Sequence, residues 1–334
     1  MEVLLNDQIP EREWNEFLSD NPHATPFQSP GFYNLFNSVE DLSAEAIAVT
    51  DSGFIRALAV ITLQKEPGPG GFFSRRGIIY GGPLIDEAYP EALDMLLKYV
   101  VSGFRSKTIY IETRNFSDYT RSKNMFRENG FRYIPYLNFK VNTNDLTAMK
   151  VAVSKSRLRQ IKKALESSVT WEEAQIRDEV LTFYAILRQL YRDKIGKPLL
   201  PLEFFMNFFD RGIGKYLLVR YEGRIIGGIM CPIHEGKAIY ELYICGLDNE
   251  FREQYPSVMA TWAAMEYAFQ HHIPIFDFMG AGKPGKSYGV REFKARFGGM
   301  LVEDGRFLLI NKPLLYEAGK IGLKLIKSGN AVSD

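Results

Sequence analysis

Thiol and imidazole chemistry is sparse in this chain, which has 2 cysteines and 4 histidines among 334 residues. Cys231 and Cys245 fall inside apolar strand-like runs, which suits buried reduced thiols and argues against a disulfide framework. His23, His234, His271 and His272 stand at no ligand spacing with one another or with a carboxylate, so no metal site is expected. No window approaches 18 uninterrupted apolar residues, which leaves no candidate membrane span. The opening MEVLLNDQIPERE carries early acids and no sustained apolar core, unlike a secretory leader, so a cytoplasmic location is expected. Net charge is only +1, so no global field draws nucleic acid, and any anion site must be local.

What remains is a globular composition, 46% hydrophobic and 24% charged, with enough chain for two cores. The first half reads as a helix at Glu11–Ser19, hairpin strands at Ala46–Thr50 and Phe54–Leu63, and a strand at Arg76–Gly82. A helix at Glu87–Phe104, a strand at Thr108–Glu112, a helix at Tyr119–Glu128 and a strand at Tyr133–Val141 follow. After a polar stretch at Asn142–Lys155 the order repeats. The repeat has strands at Tyr216–Tyr221, Arg224–Pro232 and Ala238–Cys245 and a helix at Ser257–His271. It closes with a strand at Ile275–Phe278, a helix at Tyr288–Phe297, a strand at Met300–Ile310 and an amphipathic helix at Leu314–Lys327. IYIETRNFSDYTRSKNMFRENGFRY in the first half rhymes with IFDFMGAGKPGKSYGVREFKARFGGML in the second. The expected fold class is α+β, mixed sheet and helices in each of two duplicated domains, residues 1–145 and 154–334.

The stretch Ile275–Gly299 is the richest in chemistry. A strand leads through a Gly/Lys loop into a basic helix, an arrangement that gathers backbone N–H groups for an anion. Gly280–Ser287 also matches the phosphate-loop pattern G-x-x-x-x-G-K-[ST]. Nucleotide hydrolysis is nevertheless not expected, because the residues after Ser287 read as one strand and one helix rather than further βαβ units. Pro284 also removes a donor from the loop.

Four motifs resemble the FemAB/FemX-like aminoacyltransferases and the shorter acetyltransferase-6 group. They are PFQSPGFYNLF at Pro26–Phe36, RLRQIKKA at Arg157–Ala164, YPSVMATWAAMEYA at Tyr255–Ala268 and FDFMG…YGVREFKARFGG at Phe276–Gly299. The resemblance covers nearly the whole chain. It implies two tandem GNAT-like acyltransferase domains and transfer of an acyl or aminoacyl group to an amine, in cell-wall or envelope biosynthesis. A non-catalytic anion-binding module is the alternative from another class.

In that family the lysine of F-K-x-x-F-G contacts substrate phosphate and stabilises developing charge, which places Lys294 in the catalytic role. A fixed cation beside an oxyanion lowers the barrier of acyl transfer. As a helix-surface residue, Lys294 is expected to tolerate alanine without loss of the fold. The family's basic residue after the helix ending in Arg-Asp maps to Arg192 or Lys197, and Lys286 and Arg296 are further phosphate-binding candidates. Glu241 is a candidate general base, with Tyr243 and Tyr288 as cleft walls; Asp277 is a second candidate, or simply caps the loop. The family often has Trp followed four positions on by Lys where this chain has Phe32 and Phe36, a departure at the precursor-binding motif.

Coenzyme A needs a G-x-G cradle at a strand–helix junction. ICGLDNEFREQYPSVMATW and YGGPLIDEAYPEAL both lack one, so no cofactor is expected and aminoacyl-tRNA is the favoured donor over acyl-CoA. Arg157, Arg159, Lys162 and Lys163 would form its docking face. The acceptor is expected to be a small molecule or a peptidoglycan-precursor-like amine.

Overall fold

The computed structural model describes residues 1–65, 74–285 and 288–330. It forms two compact units, Met1–Pro135 with Asp304–Asp334, and Tyr136–Glu303.

In chain order the first unit contains β1 (Glu2–Leu5), α1 (Glu11–Asp20), α2 (Pro30–Asn37), β2 (Leu42–Asp51), β3 (Phe54–Gln64), β4 (Arg76–Gly81) and β5 (Leu84–Ile85). Then come α3 (Pro90–Phe104), β6 (Tyr110–Asn115), α4 (Lys123–Glu128) and β7 (Arg132–Ile134). The second holds β8 (Asn138–Asn142), α5 (Leu146–Ala152), α6 (Lys155–Glu166), β9 (Thr170–Glu173), α7 (Arg177–Leu190) and α8 (Leu202–Asp210). It continues with β10 (Gly214–Tyr221), β11 (Arg224–His234), β12 (Ala238–Tyr240), β13 (Tyr243–Gly246), α9 (Pro256–Gln270), β14 (Ile275–Asp277), α10 (Gly289–Ala295) and β15 (Met300–Val302). The last two elements, β16 (Arg306–Ile310) and α11 (Pro313–Asn330), return to the first unit.

Local chemistry sets most of these elements. Ser52 and Gly53 both take positive φ between β2 and β3, the twist a two-residue hairpin requires. Pro90 opens α3, whose Leu93, Leu96, Leu97, Val100 and Phe104 are buried at helical spacing. Helix α9 is largely apolar around its circumference, which matches the burial of nearly every residue from Val258 to Ala268.

Each unit builds one mixed sheet, with strand orders β1-β2-β3-β4-β6-β16-β7 and β15-β8-β14-β12-β11-β10-β9. The orders overturn the expected boundaries at residues 145 and 154. Strand β8, read as the end of the first domain, pairs antiparallel with β14 and β15 of the second unit. Strand β16, read as the end of the second, pairs with β6 and β7. Each sheet is thus completed by a strand that chain order assigns to the other half.

The two long strands expected at Tyr133–Val141 and Met300–Ile310 are each broken to allow this. Pro135 offers no N–H to a ladder. Gly305 has φ +69°, and a Cβ there would meet the Tyr133 ring at 2.3 Å. Phe307 on β16 then stacks on Phe126 at 3.8 Å between centroids, deep in the first core. Complete burial of one such ring contributes about 3 kcal/mol.

Candidate functional site

The second unit's sheet opens at one point. β12 runs parallel to β14 from Ala238 opposite Ile275 to Tyr240 opposite Asp277. The Glu241 N–H still reaches Asp277 O at 2.9 Å, but Leu242 N turns to Met230 O at 3.1 Å. From Tyr243 onward the chain follows β11 as β13. The single strand expected over Ala238–Cys245 is therefore two, with Glu241 at the divergence.

Asp277 ends β14. Its Oδ1 accepts from Met279 N at 2.6 Å and from Asn138 Nδ2 at 2.8 Å, while Asn138 Oδ1 accepts from Gly280 N at 2.8 Å. Met279 at φ +55° and Gly280 at φ +129° turn the loop away. Of the two roles open to Asp277, loop capping is the one its bonds describe. Asn138 lies far away in sequence and carries no motif, so local reading had no means of finding it.

The start of the Gly/Lys loop, residues 278–281, presents no free backbone donor. Phe278 N donates to Phe139 O at 3.1 Å and Ala281 N to Leu137 O at 2.6 Å, so all four N–H groups from Phe278 to Ala281 are engaged. Its carbonyls instead face cations. Arg291 donates through Nε to Ala281 O at 2.8 Å and through its terminal nitrogen to Lys283 O. Residues 278–281 therefore do not contribute donors to the anion site expected of the loop. Lys286 and Ser287 lie outside the described residues.

Lys294 projects from α10 into this acceptor-lined place. Its Nζ donates to Phe278 O at 2.7 Å and Gly280 O at 2.9 Å and pairs with Glu241 Oε1 at 2.9 Å. Three donors meet three acceptors, so the ammonium is fully satisfied. The side chains are 10% and 5% exposed, which corrects the expectation of a helix-surface lysine. Glu241 Oε2 is buried and has no hydrogen-bond partner among the described residues. Burial pushes the Glu241 carboxyl above its ordinary range, with Lys294 opposing. Burial, helped by the Glu241 charge, also raises the Cys231 thiol well above normal.

The other candidates surround this pair at varied depth. Tyr288, the residue before α10, is 40% exposed and lies against Gly282, where a Cβ would meet its ring at 2.8 Å. Half-buried Tyr243 packs on Phe205 at 5.0 Å and Tyr191 at 6.2 Å. Tyr191 begins a π-helical turn, Tyr191–Ile195, that carries Arg192 outward into an ion pair with Asp193 at 2.7 Å. Lys197 follows that turn and is exposed. Arg296 is exposed at the end of α10, its carbonyl accepting from Ser154 N at 2.9 Å.

The basic helix α6 is not a uniform docking face. Arg157 is 3% exposed, with its guanidinium 4.5 and 4.6 Å from the rings of Phe293 and Phe297. Burial and Arg296 lower it to about 10, which leaves it cationic at neutral pH. Lys162 pairs with Glu166, and Lys163 with Glu253. Arg159 is exposed. Arg157 thus braces the helix that carries Lys294.

At the β13–α9 junction, Asp248 accepts from Ser257 N at 3.1 Å and Ser257 Oγ at 2.5 Å. A carboxylate therefore sits at the start of α9, and Pro256 contributes no N–H there. Among the described residues no His, Cys, Asp and Glu group is placed to hold a metal ion.

The matching break in the first unit, after β4, is closed. Gln28 Nε2 donates to Tyr80 O at 3.2 Å and Gly82 O at 3.0 Å, and the Tyr119 hydroxyl reaches Gly81 O and Pro83 O at 3.1 and 2.7 Å.

Residues 153–294 match the acetyltransferase (GNAT) domain family. Among solved structures, FemX superposes with a TM-score of 0.73 over 95% of this chain and 99% of that one, at 18% identity. The chain has the FemX fold. The C-terminal domain of a putative lysylphosphatidylglycerol synthetase from Agrobacterium fabrum gives a TM-score of 0.60 at 13% identity, covering 92% of this chain and 95% of that one. A tandem GNAT protein from the clavulanic acid biosynthesis pathway gives 0.53 at 8% identity, covering 93% and 99%. No curated protein matches the sequence significantly. The fold consists here of two α+β domains, and the acetyltransferase (GNAT) domain match lies within the second. In this FemX-like chain the strand divergence that carries Glu241 and Lys294 lies inside that second domain.

Proposed function

We propose that the second unit transfers an acyl or aminoacyl group to an amine, forming an amide. The observation that carries this reading is the buried Glu241–Lys294 pair at the strand divergence, with Glu241 Oε2 unpartnered among the described residues. An attacking amine must lose a proton, and a carboxylate raised by burial is poised to accept it. The proton then passes to the leaving oxygen or sulfur, so Glu241 returns to its starting state. Lys294 holds the Glu241 carboxylate and the loop carbonyls in register, and supplies positive charge beside the developing oxyanion.

Aminoacyl-tRNA is the favoured donor. A diphosphate docked at the start of α9 would face the Asp248 carboxylate, which disfavours coenzyme A. The motif resemblance to the FemAB/FemX-like family supports a peptidoglycan-precursor-like acceptor, with Arg192, Lys197 and Arg296 as exposed cations for its phosphates.

Mass analysis after incubation with charged tRNA, acyl-CoA and cell-wall precursors tests the reading. An aminoacyl mass on the acceptor is expected. An acetyl mass instead makes the chain an acyl-CoA N-acetyltransferase, and ligand binding without transfer makes it a binding module.

A further inference from the structure

A cavity of about 770 Å³ in the first unit takes no part in the proposed transfer. One wall is α1, which brings Glu13, Glu16 and Asp20 to it. The other is the Ser52-Gly53 turn with the stretch after β5, which adds Asp86 and Glu87. Five carboxylates thus line the cavity against two guanidiniums, and both guanidiniums are engaged. Arg12 pairs with Glu16 at 2.8 Å, and Arg56 pairs with Asp86 at 2.8 Å while lying over the Tyr89 ring. Glu87 meets Arg121 at 2.8 Å. Glu13 and Asp20 are left without an ion pair among the described residues.

Glu13 gives an independent sign of a ligand. Its Oε2 is buried and has no hydrogen-bond partner among the described residues. A buried carboxylate oxygen without a donor is costly unless a cation supplies one.

Spacing selects the cation. No His, Cys, Asp and Glu group among the described residues is placed to hold a metal ion, so the negative charge is strung out along the cavity. Glu13, Glu16 and Asp20 follow one face of α1, about 4.5 and 6 Å apart along its axis. The short methylene spacers between the ammonium groups of a linear polyamine cover such intervals. Between the carboxylates the lining is apolar: Phe17 is half-buried, Ile55 is buried, and Phe54 is 64% exposed. Methylenes suit such a wall, and an open aromatic face attracts an ammonium ion.

We infer that this cavity binds a linear aliphatic polyamine, its terminal ammonium groups on Glu13 and Asp20 and an inner one beside Glu16. The site lies wholly in the first unit and does not depend on the amide-forming reading.

Calorimetry on the full chain with spermidine, n-butylamine and magnesium chloride tests it. Spermidine should bind at least about tenfold more tightly than butylamine, because it engages further carboxylates, and should weaken as salt is added. Glu13→Gln with Asp20→Asn should lower spermidine affinity by about tenfold or more, since both changes keep size and remove charge. Phe54→Ala, at an exposed position, should lower it by about threefold and leave thermal unfolding without ligand in place. Absence of spermidine binding at about 1 mM overturns the proposal. So does equal binding of butylamine, tighter binding of magnesium, or wild-type affinity in either folded variant.

Discussion

Lys294 on α10 and Glu241 at the end of β12 are separated along the chain by β13, α9 and β14, yet their charged atoms stand 2.9 Å apart in a place almost closed to water. Removing one member of a buried pair leaves the other's charge uncompensated, typically at a cost of about 3–5 kcal/mol. Lys294→Ala and Glu241→Ala should therefore each destabilise strongly, contrary to what a surface lysine would do. The double variant Glu241→Ala/Lys294→Ala should lose less than the sum of the single changes. Urea unfolding of all four proteins measures the coupling. Additive losses, or a Lys294→Ala cost below about 1 kcal/mol, would show that the pair contributes little.

Activity should separate the two residues once a donor and acceptor are in hand. Glu241→Gln keeps the side chain's size but cannot take a proton, so turnover should fall by two orders of magnitude or more, with the pH dependence flattened. Lys294→Arg should recover part of the rate lost in Lys294→Gln, since the charge returns in a different shape. Turnover of Glu241→Gln within about threefold of wild type would remove the general-base role.

Stability should also carry a pH signature. Burial raises the Glu241 carboxyl in the folded state, so the folded protein holds this proton more tightly than the unfolded chain does. The stabilising term from this group is present at low pH and is lost as pH rises from about the ordinary 4.5 through the raised folded-state value. Lys294, Asp277 and Cys231 are the titratable groups around it, and Lys294 limits the size of the effect. Relative to Glu241→Gln, wild type should lose stability across that window. A pH-independent difference in denaturation midpoint would contradict the raised value.

Tyr119→Phe in the first unit removes a hydroxyl that satisfies Gly81 O and Pro83 O. Buried carbonyls left without a donor cost about 1–3 kcal/mol, and the loss should appear in thermal unfolding. Acyl transfer should be unaffected, because the proposed chemistry belongs to the second unit. Loss of transfer in a folded Tyr119→Phe protein would bring the first unit into the reaction.

Acetyl-CoA should bind weakly, with Asp248 at the start of α9 opposing a diphosphate. Calorimetry showing micromolar affinity, about −8 kcal/mol, would overturn the donor preference and make acyl-CoA the leading substrate.

The sequence by itself determined what depends on neighbours along the chain. The Ser52-Gly53 turn, the apolar spacing of α3 and the largely apolar α9 are local patterns, and they place hairpins, helices and the α+β class. Glu241 and Lys294 were both legible as candidates, one from its strand and one from its motif. Their contact was not, and neither was the place of Asn138, because strand pairing is set by packing rather than by order in the chain. The same limit moved β8 and β16 across the expected boundary, since Phe307 reads as a strand residue whichever sheet it completes. Burial of Lys294 and Arg157 was decided by tertiary structure alone. A lysine or arginine on a short helix reads as solvated until acceptors such as Phe278 O and Glu241, or faces such as Phe293 and Phe297, close around it.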